Sequence, residues 1–252
     1  MSLLAVQDLS HAFSGLHAIT HFNLGIHSGE IIGVIGPNGA GKTTLFNVLC
    51  GIYPIQQGVI TLNHERLNGL TTDQITRAGI ARTFQNIRLF KQLSVLNNIK
   101  IAIGGYYSLL PALMCLPSFK QQEELILDEA YHLLNRLGLA QFAQSCAADL
   151  PYGLQRRLEI ARALACKPKV LLLDEPACGM NPYEAQQLSL LIQEIHQEKG
   201  LAIILIDHQM RFVMSLCQHI IVLNFGKIIA EGQPEMIRNH PEVIQSYLGG
   251  PC

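Results

Sequence analysis

The chain has 252 residues, a formal net charge of −1, 49% hydrophobic residues and 15% charged residues, where about 25% charged is usual for a soluble domain. This length suits one large domain, or one domain with an inserted subdomain, and is enough to bury a substantial core. The balanced charge and the lack of a basic run argue against a nucleic-acid partner. The low charge content fits either apolar surface that is hidden in an assembly or apolar core strands alone.

The N-terminus and the cysteines indicate the compartment. Residues 1–8 lack the basic start and the long apolar run of a secretory signal peptide. The seven cysteines include no C-x-x-C pair, which is typical of free thiols in a reducing compartment. The uncharged stretch 101–119 is interrupted by glycines and prolines, so we interpret it as a helical hairpin or loop insertion. We therefore expect a cytosolic chain.

The first part of the chain predicts strands on either side of a glycine-rich loop. Apolar and polar residues alternate over 22–26, and residues 59–62 predict a further strand that ends in a polar turn. The short spacing between these strands predicts an antiparallel element. The apolar run 31–35 leads into the glycine-rich segment 36–44, and a helix follows. This order of strand, loop and helix is the context that a phosphate-binding loop requires.

The glycine-rich segment fills every fixed position of the pattern G-x-x-x-x-G-K-[ST]. Glycines let successive main-chain N–H groups face one anion, and the helix N-terminus adds partial positive charge. Lys42 can reach the β- and γ-phosphates, and the Thr43 hydroxyl is placed to bind Mg²⁺. The predicted nucleoside triphosphate site consists of Gly36, Pro37, Asn38, Gly39, Ala40, Gly41, Lys42, Thr43 and Thr44.

Residues 85–165 change to a helical pattern. Ser94 is a candidate cap for a helix over 95–103. Apolar residues recur along one face of 121–138, which ends at Gly138, and another helix starts near Pro151.

An alternating pattern of strands and helices returns after the helical block. Strands are predicted at 170–173, 201–206, 219–223 and 227–230, with helices at 182–199 and 209–217. We predict an α/β fold: a P-loop NTPase sheet with an N-terminal antiparallel β element and an inserted helical subdomain. Residues 1–252 then form one nucleotide-binding domain, with a catalytic α/β core at 1–84 and 166–252 and a helical subdomain at 85–165.

Polar side chains follow several of the predicted strands. Asp174 comes directly after an apolar strand and can hold Mg²⁺, while Glu175 can polarise the water that attacks the γ-phosphate. Two solvated acids at a strand end are the alternative. His208 follows the strand 201–206 and can reach the same phosphate. Gln85 ends a strand-like segment, where its amide can contact both Mg²⁺ and the attacking water.

The ordered set of these motifs resembles the ATP-binding subunits of ATP-binding cassette (ABC) transporters. The set consists of the phosphate loop, Gln85, the segment L-P-Y-G-L-Q-R-R-L-E-I-A-R-A-L at 150–164, Asp174-Glu175-Pro176 and His208. The resemblance covers essentially the whole chain. Within this family the chain most resembles the ATP-binding subunits of branched-chain amino acid importers. Four segments carry this closer resemblance: Y-G-L-Q-R-R-L-E-I-A-R at 152–162, G-M-N-P at 179–182, P-E-V-I-Q-S-Y-L-G at 241–249 and the insertion at 104–120. The lipopolysaccharide-export ATPase is a similar relative that is usually shorter at the insertion.

This resemblance implies partners and residue roles. Two cassettes pair head to tail, either as two copies or with a second cassette subunit. Each ATP then lies between the phosphate loop of one cassette and the signature segment of the other, which is residues 150–154 in this chain. Permease subunits dock on the helical block at the cytoplasmic face of the inner or plasma membrane, and a solute-binding protein takes part indirectly. The implied catalytic residues are Glu175, His208 and Gln85; Thr43, Gln85 and Asp174 bind Mg²⁺, Phe13 stacks on adenine, and Gly153 binds the opposing γ-phosphate.

The signature segment departs from the family pattern L-S-G-G-Q. Leu150–Leu154 reads L-P-Y-G-L, and Pro151 supplies neither the serine hydroxyl nor a main-chain N–H. We therefore expect a weakened composite ATP site, and Leu154 is a second departure. These changes keep open a regulatory subunit that binds ATP but hydrolyses it poorly, a reading that Glu175 and His208 oppose.

Other function classes fit less well. A lipid or lipopolysaccharide exporter remains an alternative because the coupling surface is not visible in the sequence. The balanced charge opposes a soluble cassette that acts on DNA or ribosomes. A P-loop kinase would leave the helical block, the segment 152–162 and His208 without a role.

Overall fold

The computed structural model describes residues 2–105 and 118–248. It divides into two compact units, the first made of Met1–Gln85 and Lys169–Cys252 and the second of Asn86–Pro168. Most of the segment expected to form a hairpin or loop insertion, residues 106–117, lies outside the described residues. No helix in the described ranges combines the length and the apolar character that crossing a membrane requires.

One sheet of the first unit is the predicted antiparallel element. Its four strands run in the order β2-β1-β4-β5, with β1 at Leu4–Phe13, β2 at Leu16–Ile26, β4 at Gln57–Leu62 and β5 at Glu65–Arg66. Along β2 the side chains of Phe22, Leu24 and Ile26 are buried while the residues between them are exposed. This alternation is what one buried face of a sheet requires.

The other sheet has six strands in the order β10-β9-β3-β8-β7-β6. The strands are β3 at Ile31–Ile35, β6 at Ile80–Arg82, β7 at Val170–Asp174, β8 at Ala202–Ile206, β9 at His219–Asn224 and β10 at Lys227–Gly232. All neighbours pair in parallel except β10, which is antiparallel to β9. Every residue of β3, β7 and β8 is buried, as expected for central strands of a parallel sheet. The predicted α/β fold is confirmed.

The helices follow in chain order. They are α1 at Lys42–Leu49, α2 at Thr72–Ala78, α3 at Val95–Gly104, α4 at Ser118–Arg136, α5 at Tyr152–Ala165, α6 at Pro182–Lys199, α7 at Met210–Leu216, α8 at Pro234–Arg238 and α9 at Pro241–Leu248. The sequence pattern did not predict α2, α8 or α9, and it predicted a polar turn where β5 lies. It also predicted that Gln85 ends a strand-like segment, whereas β6 ends three residues earlier, at Arg82.

Local side-chain chemistry explains the helix ends that the sequence predicted. The Ser94 hydroxyl accepts the N–H of Asn97 at 3.1 Å and caps α3. Asn181 caps α6 through a capping box with Glu184, and Pro182 occupies the first turn, where its missing N–H costs nothing. Pro151 lies at the cap position of α5, one residue before the helix begins.

The second unit is a helical core formed by α3, α4 and α5. Leu134, Leu137 and Leu158 are fully buried, as is the polar side chain of Asn98. Asn98 Oδ1 accepts the Phe90 N–H at 2.9 Å, and Asn98 Nδ2 donates to the Phe90 carbonyl oxygen at 3.0 Å. The buried polar atoms of Asn98 are therefore hydrogen-bonded.

Candidate active site

The phosphate-loop candidate joins β3 to α1 in a conformation that only glycine fits at two positions. Gly36 has φ 151°, and a Cβ there would lie 2.1 Å from the Leu223 carbonyl oxygen. Gly41 has φ 105°, and a Cβ there would lie 2.3 Å from the Ala18 carbonyl oxygen. A side chain at either position would collide with main chain, so the loop depends on both glycines. Thr43 and Thr44 follow in the first turn of α1, with Thr43 exposed.

Lys42 lies with its ammonium group against this loop. Its Nζ donates to the carbonyl oxygens of Gly36 at 2.7 Å and Pro37 at 2.9 Å, which leaves one further N–H donor within the described part of the chain. Burial lowers the pKa of Lys42, and the charges of Glu175 and Asp174 oppose that shift. The acidic pair is therefore close enough to Lys42 to act on its charge. A cradle of this kind fits a polyphosphate anion.

Asp174 is the last residue of β7 and is held by a buried arginine that the sequence analysis missed. Arg82 Nη2 donates to Asp174 Oδ2 at 2.6 Å, and both side chains are only 5% exposed. Arg82 Nη1 donates to Asn47 Oδ1 at 2.6 Å, and the guanidinium carbon lies 5.1–5.3 Å from the rings of Phe46 and Phe84. Arg82 thus neutralises a carboxylate that burial would otherwise penalise.

The Arg82 contact leaves Asp174 Oδ1 as a carboxylate oxygen without a hydrogen bond among the residues that the structure describes. A carboxylate oxygen and a threonine hydroxyl are the hard ligands that Mg²⁺ prefers. The chemistry of Asp174 and Thr43 therefore fits the predicted metal role.

Glu175, Gln85 and His208 lie together although they are far apart in the sequence. Gln85 Nε2 donates to Glu175 Oε2 at 3.0 Å, and His208 Nδ1 lies 3.7 Å from the same oxygen. Glu175 has φ 45°, a strained conformation for a side chain with a Cβ, and its N–H donates to the Ile206 carbonyl at 2.7 Å. The structure thus brings the three predicted catalytic residues to one carboxylate.

Asp207 is a second residue without a role in the sequence analysis. It is 1% exposed and accepts the main-chain N–H of Ala177 at 3.2 Å and of Gln209 at 2.8 Å. Burial raises the pKa of Asp207, and these hydrogen bonds oppose the shift. Asp207 therefore ties the turn after Glu175 to the turn that carries His208.

The remaining predicted site residues lie elsewhere. Phe13 ends β1, is 41% exposed, and meets His11 and Tyr53 edge-on at 4.7 and 5.2 Å. Gly153 belongs to the second unit, in the first turn of α5, where an amide has no partner inside the helix. Adenine binding by Phe13 and phosphate binding by Gly153 stay predictions.

Neither Arg82 nor Asp207 carries a motif that a single sequence reveals. Arg82 meets Asp174 because β6 pairs in parallel with β7, with Arg82 opposite Leu172. The sequence pattern does not reveal that pairing, so it gives no sign that an arginine lies beside Asp174 and Glu175.

Known proteins are similar to this chain in sequence and in fold. Residues 19–178 match the family model described as ABC transporter, and residues 227–251 match one described as branched-chain amino acid ATP-binding cassette transporter. The chain is 43% identical over 249 residues to the high-affinity branched-chain amino acid transport ATP-binding protein BraF of Pseudomonas aeruginosa, and 45% identical over 249 residues to LivG of Escherichia coli K12. Both alignments cover 98% of each chain.

Two further comparisons bear on the site. The lipopolysaccharide export system ATP-binding protein LptB of Haemophilus influenzae is 32% identical over 249 residues, covering 99% of this chain and 98% of LptB. The crystal structure of the ADP conformation of MJ1267, an ATP-binding cassette of an ABC transporter, is 28% identical, has a TM-score of 0.86 and aligns over 99% of both chains.

The Arg82–Asp174 pair gives a stability prediction. Replacing Arg82 with Met leaves a buried carboxylate without its counter-charge, so we expect the free energy of unfolding to fall by about 3–5 kcal/mol. Urea denaturation of the isolated chain measures this loss.

The matched variants are Arg82→Lys, which keeps the charge, and the double variant Arg82→Met with Asp174→Asn, which removes both charges. We expect each to unfold at a higher urea concentration than Arg82→Met alone. Equal urea midpoints for wild type and Arg82→Met would show that the Arg82–Asp174 pair contributes nothing to the stability of the fold.

Proposed function

We propose, from the premise that this chain belongs to the ABC transporter family and is an ATP-binding, ATP-hydrolysing cassette, that it drives a membrane importer of branched-chain amino acids. The observation that carries the amino acid assignment is the 43–45% identity to two branched-chain amino acid transport ATP-binding proteins over 98% of each chain. The match of residues 227–251 to a family model of the same description supports it independently of the shared cassette motifs.

In this proposal the residues of the first unit divide the work on ATP. Main-chain N–H groups of the glycine-rich loop and the Lys42 ammonium bind the phosphates. Thr43, Gln85 and Asp174 would hold Mg²⁺, which would neutralise charge on the phosphate oxygens. Glu175 orients and deprotonates the attacking water, and Gln85 and His208 hold its carboxylate in place. Phe13 stacks on the adenine ring.

The proposed partners follow from the same assignment. A second cassette, either this chain or a relative, supplies the signature segment opposite the phosphate loop, and Gly153 reaches the partner's nucleotide. Permease subunits carry the substrate through the membrane and hold the cassettes at its cytoplasmic face. A solute-binding protein delivers the amino acid to the permeases.

The alternative with a specific observation in its favour is lipopolysaccharide export, because the chain is 32% identical to an LptB. The higher identity to BraF and LivG favours the importer. Gentle solubilisation of membranes that contain the tagged chain distinguishes the two. Two multi-span permeases and a second cassette would support the importer, and a lipid-export assembly would contradict it.

Loss of the Glu175 carboxylate tests the hydrolytic role. In the assembled complex, Glu175→Gln removes the general base, and we expect a fall in kcat of about 10²–10⁴-fold with nucleotide affinity retained. Phosphate release and binding of a fluorescent ATP analogue measure the two quantities. Glu65→Gln, which removes an exposed carboxylate in β5, is the matched control and should leave both unchanged.

If Glu175→Gln and Glu65→Gln hydrolyse ATP at the same rate, the chain is a regulatory nucleotide-binding subunit rather than the hydrolytic one. Pro151 and Leu154 favour this alternative, and Glu175 and His208 oppose it.

Restoring Ser at Pro151 tests the weakened composite site. The serine supplies a hydroxyl and an N–H toward the partner's γ-phosphate, and one charge-assisted hydrogen bond corresponds to an increase in ATPase rate of at least about tenfold. Steady-state ATPase of the assembled complex measures it. Pro151→Ala restores the N–H alone and should give a smaller increase. An unchanged rate in both variants would remove the idea of a weakened site.

A further inference from the structure

Three helices of the first unit enclose a cleft that the proposed ATPase cycle does not use. The cleft has a volume of about 540 Å³ and lies between α7, α8 and α9. A volume of this size is in the range of small-molecule sites. Its lining includes the apolar side chains of Met210, Met214, Ile237 and Val243 and the charged side chains of Arg211 and Arg238.

The charge in this cleft has one sign. Arg211 and Arg238 are exposed, and neither makes a side-chain hydrogen bond or ion pair with another residue in the described ranges 2–105 and 118–248. No carboxylate among the described residues lines the cleft. A guanidinium is weakly hydrated and binds a carboxylate with two parallel hydrogen bonds. The cleft therefore offers an apolar floor and donors for one anionic group.

We propose that this cleft binds a small monocarboxylate with an aliphatic chain and no ammonium group. The aliphatic chain packs on the methionine, isoleucine and valine side chains, and the carboxylate pairs with Arg211 and Arg238. An amino acid fits less well because its ammonium would lie near two guanidiniums with no acceptor of opposite charge. The ligand class therefore differs from the amino acids of the proposed transport function.

The position of the cleft links it to the active site. Met210 begins α7 two residues after His208. Tyr247 of α9 also lines the cleft, with its side chain 42% exposed. A ligand that packs on Met210 thus contacts the helix that follows His208. Because coupling between two sites is reciprocal, nucleotide should change the affinity of the ligand.

Isothermal titration calorimetry on the full chain tests the proposal with four matched probes. We expect 4-methylpentanoate to bind. Three probes each change one feature of this ligand: 4-methylpentanamide lacks the negative charge, L-leucine adds an ammonium group, and acetate lacks the aliphatic chain. We expect each of them to bind at least about tenfold more weakly than 4-methylpentanoate. Equal affinity for the acid and its amide, or stronger binding of leucine, would overturn the proposal.

Two charge-removing variants locate the site. Arg211→Gln and Arg238→Gln should each raise the Kd of 4-methylpentanoate by about tenfold, because each removes a charge-assisted contact. Arg66→Gln removes an exposed guanidinium in β5 and should leave the Kd unchanged. Thermal unfolding of the free variants confirms that each is folded.

Sedimentation of the same variants distinguishes a ligand site from a contact between copies. If Arg211→Gln or Arg238→Gln changes self-association and not the Kd of 4-methylpentanoate, the cleft is a protein interface and the proposal is wrong. An unchanged Kd of 4-methylpentanoate at saturating ADP would overturn the coupling to the nucleotide site.

Discussion

The parallel pairing of β9, β3, β8, β7 and β6 is the constraint on which the active site depends. Parallel strands bring their carboxyl ends to one edge of the sheet, and ligands of open α/β folds bind at that edge. Gly36 follows β3, Asp174 ends β7, and His208 follows β8. Arg82 ends β6 and Gln85 follows it. Residues that are far apart in the chain thus lie close together because the strands that precede them end at the same edge of the sheet.

Two carboxylates, Asp174 and Glu175, lie at this edge near the buried Lys42. The fold is stable only if partners of the two carboxylates compensate their negative charges. Asp174 is paired with Arg82 at 2.6 Å, and the Glu175 carboxylate accepts a hydrogen bond from Gln85 Nε2 at 3.0 Å. Without such partners a buried carboxylate would take up a proton or destabilise the fold. The same segment of chain, β6 and the residues after it, contacts both acids. A movement of that segment would therefore alter Asp174 and Glu175 together.

The sequence predicted features whose cause is local. The bounds of α6 follow from Asn181, Pro182 and the periodic apolar face, and the phosphate loop follows from its glycines and Lys42. Short elements such as α2 have a weak periodic signal, which explains why they were missed. Arg82 was missed for a different reason. Its partner is 92 residues away, and only the register of β6 against β7 brings them together.

Pro151 is compatible with a stable α5, but it removes hydrogen-bond donors that serine would offer to a phosphate. It has φ −53°, which suits proline, and its carbonyl accepts the N–H groups of Leu154 and Gln155 at 3.0 Å each, so α5 begins normally. What proline removes is an N–H and, relative to serine, a hydroxyl that could cap the helix or bind an anion. In the proposed head-to-tail pair those donors would face the other subunit's nucleotide, whereas Glu175 would act on the nucleotide bound to its own chain. In a pair of identical chains both sites would carry the same defect. In a mixed pair this chain would hydrolyse its own ATP with the signature of its partner, and the weaker site would hold the partner's ATP.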